Sequence, residues 1–227
     1  MNVPRCDKCL GVFCVKGDID KDALPDFCPM KSMGDIIRKA VEEYSREDVK
    51  SIYVPATITE KEAYEIVRGK RIPVRPRIRE LVEFAKKIGV RKIGIAFCTG
   101  LSDEASRVAN IMERFGFSVY SVRCKCGAVD KTQLGVPEEY KIGDAKKFEA
   151  GCNPIAQALL LNAVKTDLNV IVGLCIGHDI LFTKYSKAPV TTLIVKDRYT
   201  GHNPAVALYL SLIHISEPTR LGMISYA

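Results

Sequence analysis

The sequence predicts an α/β fold: a Rossmann-like, mostly parallel sheet preceded by an N-terminal cysteine-rich metal-binding module. Three observations predict it. Short apolar runs alternate with amphipathic stretches from Lys92 to Val195. Those runs lack the polar alternation of a half-exposed strand, so the sheet is covered on both faces, as βαβ units require. Ahead of them, Cys6, Cys9, Cys14 and Cys28 lie in an aperiodic segment with few apolar residues.

Each element follows from its local pattern. Ser32 reads as a helix N-cap with Asp35 in capping-box spacing, and Ile36, Ile37, Ala40, Val41 and Tyr44 follow at helical spacing. A polar connection carrying Pro55, Pro73 and Pro76 leads to a second helix, with Ile78, Leu81, Val82, Ala85 and Ile88 on one face and Gly89 at its end. Lys92 to Phe97 is a buried-strand pattern. Ser102 to Phe115 is a helix stopped by Gly116, and Phe117 to Val122 is the next strand. Lys125 to Ala150 has no strong periodicity. Pro154 to Thr166 is a helix, with Asn153 as N-cap and proline at its first position. Asn169 to Leu174 is a strand, Asp179 to Tyr185 a short helix and Val190 to Val195 a strand; a last helix opens at Pro204.

The expected organisation is a cysteine-rich module over residues 1–31, a helical connector over 32–76 and a Rossmann-like domain over 77–209. Leu210 to Arg220 back-translates readily to the transposase adapter of short-read sequencing, and Ile224 to Ala227 to flow-cell primer. Residues 210–227 are therefore expected to be a non-native tail, set apart from fold reasoning.

Composition bounds the function. Of 227 residues, 47% are apolar and 27% charged, which excludes a disordered chain. No run approaches the roughly 20 apolar residues of a membrane span. Met1 to Cys6 lacks a signal peptide's apolar stretch, so a cytoplasmic protein is expected. Nine cysteines in a reducing compartment point to metal binding or thiol chemistry rather than disulfides. The net charge of +7 reads as scattered surface lysines, and without tryptophan a nucleic-acid partner is not expected.

Cys6-x2-Cys9-x4-Cys14-x13-Cys28 is the strongest local signal. Four thiolates can close a tetrahedral zinc shell or hold an iron–sulfur cluster, and a metal would supply folding energy that the segment lacks. Only one Cys-x2-Cys knuckle is present, and Cys28-Pro29 resembles the closing dipeptide of ferredoxin motifs. A cluster, of the 4Fe–4S type, is favoured over zinc.

The remaining cysteines follow strands. Cys98 follows the first, Cys124 and Cys126 the second and Cys175 the third, while Cys152 precedes a capped helix. In an open α/β sheet the carboxyl ends of the strands face one crevice, where ligands bind. A second cofactor site is expected from Cys98, Cys124 or Cys126, Cys152 and Cys175, with His202 and His178 as ligands or proton donors beside it. Cys98, Cys175 and His178 are the candidates for catalysis. The turn Cys98-Thr99-Gly100-Leu101-Ser102 can receive an anion, but no G-x-G-x-x-G or Walker lysine supports a dinucleotide or ATP.

The opening cysteine pattern, Arg77–Ala105, RCKCGAVDK (Arg123–Lys131), GCNPIAQALLLN (Gly151–Asn162) and Leu168–Pro204 together resemble an archaeal and bacterial family of uncharacterised metal-binding proteins, defined as a domain of unknown function. The resemblance implies metal binding through cysteines and a prokaryotic, anaerobe-leaning source, and supplies no reaction. The function expected is an iron–sulfur or other metal protein with a redox or electron-transfer role and an electron-transfer partner. The alternatives are an enzyme using a cysteine-held metal or thiolate on a small-molecule substrate, and a zinc-stabilised binding module.

Overall fold

The computed structural model describes residues 4–11, 13–15, 20 and 22–209, so the tail from Leu210 onward lies outside the described residues. The chain divides into two compact units at Glu62/Ala63. The first contains single 3-10 turns at Cys6–Lys8 and Phe13–Val15, then α1 (Pro29–Ser32), α2 (Gly34–Glu43) and α3 (Glu47–Glu62). Ser32 is not the expected cap. It closes α1, its hydroxyl donating to the Cys28 carbonyl at 3.2 Å, and Met33 takes the N-cap place of α2. Pro29 is the reason, because its fixed φ suits the first position of a helical turn. The expected polar connection also contains α3, which runs through Pro55. Glu47 and Asp48 in its first turn and Lys61 in its last complement the helix dipole, and Thr59 donates its hydroxyl back to the Pro55 carbonyl at 2.8 Å.

The second unit opens with a hairpin, β1 (Tyr64–Val67) and β2 (Lys70–Pro73), where the sequence suggests a linker. Arg68 and Gly69 both have positive φ, 52° and 75°, as a two-residue type I′ turn requires. Then come α4 (Arg77–Lys87), β3 (Lys92–Phe97), α5 (Ser102–Arg114), β4 (Ser118–Arg123), α6 (Pro154–Ala163), β5 (Leu168–Val172), α7 (His178–Tyr185), β6 (Val190–Ile194) and α8 (Pro204–Ala207). β3 to β6 form one sheet in the order β4-β3-β5-β6, every pairing parallel. This is the Rossmann-like α/β architecture expected from the alternation. β3 and β5 are buried along nearly their whole length, which explains their continuous apolar sequence.

Two features of the sheet position the site. The chain leaves β3 outward to β4 and then returns to β5 on the opposite side, so the strand order reverses between β3 and β5, the place where open α/β sheets bind ligands. The register also ends the strands level, with Phe97 opposite both Arg123 and Val172, and Val172 opposite Ile194. Residues just beyond these positions therefore share one edge.

The core beneath that edge packs Ile93, Ile95, Val170 and Val172 of the sheet against Leu101, Met112, Leu161 and Phe182. Burying each such side chain is worth roughly 1.5–3 kcal/mol. Gly94 lies opposite Asn169, and a Cβ added there would meet the Asn169 Oδ1 atom at 2.0 Å. Asn169 is fully buried and satisfied: it accepts from the Thr166 hydroxyl and donates to Ser186, both at 2.8 Å.

Candidate functional site

Beyond the level strand ends lies a cavity of about 480 Å³. Cys98, Cys124, Cys152 and Cys175 all line it, delivered by the ends of β3, β4 and β5 and the start of α6. Cys98 and Cys124 are buried, whereas Cys152 and Cys175 are half-buried. Cys152 is held beside Cys124 by the backbone, as the Asn153 amide donates to the Cys124 carbonyl at 2.7 Å. Asn153 in turn caps α6, its Oδ1 accepting from the Ala156 amide at 3.0 Å, and Pro154 opens the helix. Gln157 of α6, fully buried, donates to the carbonyls of Phe97 and Val122 at 3.3 and 2.7 Å, tying the helix to the ends of β3 and β4.

The sulfurs are supplied with N–H donors. Lys196 Nζ donates to Cys98 Sγ at 2.9 Å, Arg198 Nη2 to Cys175 Sγ at 3.0 Å and the Thr99 amide to Cys124 Sγ at 3.4 Å. Cys124 and Cys152 behave as one unit. Hydrogen bonding from the Cys152 thiol holds Cys124 well below the ordinary thiol range; burial opposes this, and Thr99 and Cys98 add to it. Cys152 is pushed well above that range, first by the same bond to Cys124 and then by burial and the nearby negative charge. Burial, followed by the charge of Cys124, also raises Cys126.

The aperiodic segment from Lys125 to Ala150 is a loop stitched closed at its base. Asp130 and Ala150 form a β-bridge, and the Lys131 amide donates to the Glu149 carbonyl at 3.0 Å. Asp130 accepts from the Thr132 amide at 2.9 Å and the Glu149 amide at 2.8 Å, which holds its carboxyl well below the usual range. This loop brings Leu134, Val136 and Ile142 to the cavity, facing Ile155 and Leu181.

Of the residues singled out from sequence, the cavity gathers Cys98, Cys124, Cys152, Cys175 and His178. It does not gather Cys126 or His202. His202 lies at φ 69° with its Nδ1 accepting the Asp197 amide at 3.1 Å, so that nitrogen serves the loop. The sequence reading missed Lys125, Lys196 and Arg198, and named Thr99 only as part of a turn able to receive an anion. The strand-end rule that found the cysteines also applies to Lys196 and Arg198, which follow β6.

Among the described residues, no three His, Cys, Asp or Glu side chains are grouped as a single metal ion requires. This holds for Cys6, Cys9, Cys14 and Cys28 as well, of which Cys6 and Cys14 are exposed and Cys9 and Cys28 half-buried. A lone zinc needs all its thiolates about 2.3 Å from one point, and the cavity sulfurs do not fit that shell as they stand. A cluster sets a different condition. Its thiolates are carried by separate irons, and what the structure shows of the four cavity cysteines is that they line one cavity.

Fold and crevice together define a Rossmann-like α/β protein with a thiol-lined pocket at its topological switch point. The chain belongs to the family described as a protein of unknown function, DUF1847, whose profile matches residues 28–193. That span contains Cys28 and all of the strand-end cysteines. The chain is also similar to the uncharacterized protein MJ0455 of Methanocaldococcus jannaschii, 45% identical over 205 residues, which cover 90% of this chain and 93% of that protein. No helix among the described residues is long and apolar enough to cross a membrane.

Proposed function

We propose that the crevice is a redox centre carrying an iron–sulfur cluster on Cys98, Cys124, Cys152 and Cys175, with electron transfer as its use. One observation carries this reading: four cysteines from separate chain segments line a single cavity at the strand ends. Two features support it. N–H donors reach Cys98, Cys124 and Cys175, and hydrogen bonds to sulfur tune cluster potentials. Lys125, Lys196 and Arg198 also bring positive charge towards sulfurs that a cluster would hold as thiolates. A bound cluster would supply one-electron chemistry. The chain's own contribution is to hold the sulfurs, direct N–H groups at them and cover them with the apolar side of the 125–150 loop.

The test is iron, sulfide and visible absorbance of the full chain purified without oxygen. About four irons with matching sulfide are expected for one cluster. Serine at Cys98, Cys124, Cys152 or Cys175 lowers both counts, whereas Cys126→Ser leaves them unchanged. Colourless, iron-free protein sinks the proposal, and so does a count indifferent to the four cavity cysteines. A metal on Cys6, Cys9, Cys14 and Cys28 is a separate proposal resting on their spacing. It predicts a further increment of iron or zinc that disappears in Cys6→Ser and Cys9→Ser.

A further inference from the structure

The cavity holds more than thiols, and the rest of its lining is chemically lopsided. Lys125, Lys131, His178 and Arg198 face it against a single carboxylate, Glu149. That carboxylate is already engaged. It pairs with Lys131 at 2.5 Å and accepts from the Ile142 and Gly143 amides at 2.8 and 3.1 Å. Lys131 and Glu149 therefore cancel. Lys125 donates to the Ala150 carbonyl and Arg198 to the Cys175 sulfur, and among the described residues neither has a carboxylate partner. The lowered Cys124 thiol offsets one of these two charges, and the surplus cation in a partly dehydrated pocket favours an anionic occupant. The remaining wall is hydrocarbon, from Val136 and Ile142 on the loop to Ile155 and Leu181 on the two helices. A volume of about 480 Å³ falls within the range of small-molecule sites.

We infer that the crevice binds a small carboxylate with an apolar body, its charge held by Lys125 and Arg198 and its hydrocarbon part laid against Val136, Ile155 and Leu181. This names the ligand class of the site proposed above as a redox centre. The cations and the apolar wall are present whatever the sulfurs carry, so the two readings can fail separately. Inorganic phosphate is a poorer match, since a doubly charged, strongly hydrated ion gains nothing from the apolar wall. A cationic alkyl chain is excluded by charge.

The experiment is isothermal titration calorimetry of the full chain, with iron determined on each sample. The probes are hexanoate, acetate, inorganic phosphate and hexylamine. Saturable one-to-one binding of hexanoate is expected, with acetate and phosphate much weaker and hexylamine inert. Lys125→Gln and Arg198→Gln should each weaken hexanoate about tenfold, the loss of one charge-assisted hydrogen bond, with the unfolding midpoint in urea serving as the check on folding. No saturable hexanoate binding overturns the inference. So does phosphate binding as well as hexanoate, or hexanoate binding that neither variant weakens. Hexanoate bound by iron-free protein leaves the carboxylate site standing and removes the cluster; iron-loaded protein that ignores hexanoate does the reverse.

Discussion

Gly173 offers the most direct test of how the crevice is built. It follows β5 with φ 70°, a left-handed conformation that directs the chain towards Cys175. A Cβ at this position would lie 2.6, 2.8 and 3.2 Å from side-chain atoms of Leu101. Leu101 is fully buried in the turn that follows Cys98, so it has little room to retreat. Gly173→Ala therefore incurs two costs. The backbone cost of alanine in the left-handed region is about 1 kcal/mol. The overpacking cost against a buried leucine is about 1–3 kcal/mol. The sum, about 2–4 kcal/mol, is a large fraction of the ~5–15 kcal/mol that holds a domain folded. Gly89 isolates the first cost: it ends α4 at φ 74° and has nothing within 4 Å of an added Cβ. Gly89→Ala should lose only about 1 kcal/mol. The measurement is urea unfolding followed by far-ultraviolet circular dichroism, at unchanged m-value. In a Leu101→Ala background, adding Gly173→Ala should cost only the backbone share, because the clash is already gone. Equal losses for Gly173→Ala and Gly89→Ala in the native background would refute the packing argument.

Three further outcomes are expected. Asn153→Ala removes the cap of α6 beside Cys152 and should cost about 1 kcal/mol in the same urea experiment. Asp167 Oδ2 accepts from the Lys92 amide at 2.8 Å and the Arg91 amide at 2.9 Å, and these bonds, led by Lys92, hold its carboxyl below the usual range. The unfolded chain therefore binds the proton more readily. The contribution is present near neutral pH and lost as pH falls through the acid range, so the gap between the native chain and Asp167→Asn should narrow from pH 7 downward; a constant gap would count against the assignment. Asp130→Asn should loosen the 125–150 loop, because Asp130 anchors the Thr132 and Glu149 amides and pairs with Lys141 at 3.2 Å. Hydrogen exchange confined to that loop should quicken, with β3 and β5 unaffected.

Much of the second unit was legible in the amino-acid order. The strand at Lys92–Phe97 and the capped helix at Pro154 match their expected starts, because a buried strand leaves a continuous apolar run and a cap leaves Asn-Pro. The strand also ends at Phe97 as expected, but the far end of the helix was less legible. The α6 helix stops at Ala163, short of Thr166, with Lys165 at φ 56° and no glycine to announce it. The hairpin at Tyr64–Pro73 was hidden because its turn uses Arg68 where Asn or Asp would have signalled a type I′ turn.

The sequence by itself determined the alternation of strand and helix, and with it a parallel sheet whose strand ends carry cysteines. Periodicity reports which residues are buried, and chirality sets the crossovers, so both are local or general properties of the chain. Tertiary structure alone decided the strand order β4-β3-β5-β6 and the level register. It also decided that Cys124 meets Cys152 while Cys126 and His202 stay out of the cavity, and that Lys196 and Arg198 return from β6 to two of the sulfurs. The reason is physical. A side chain's neighbours across a sheet edge are set by how distant segments pack together, and no local pattern records which distant segment arrives.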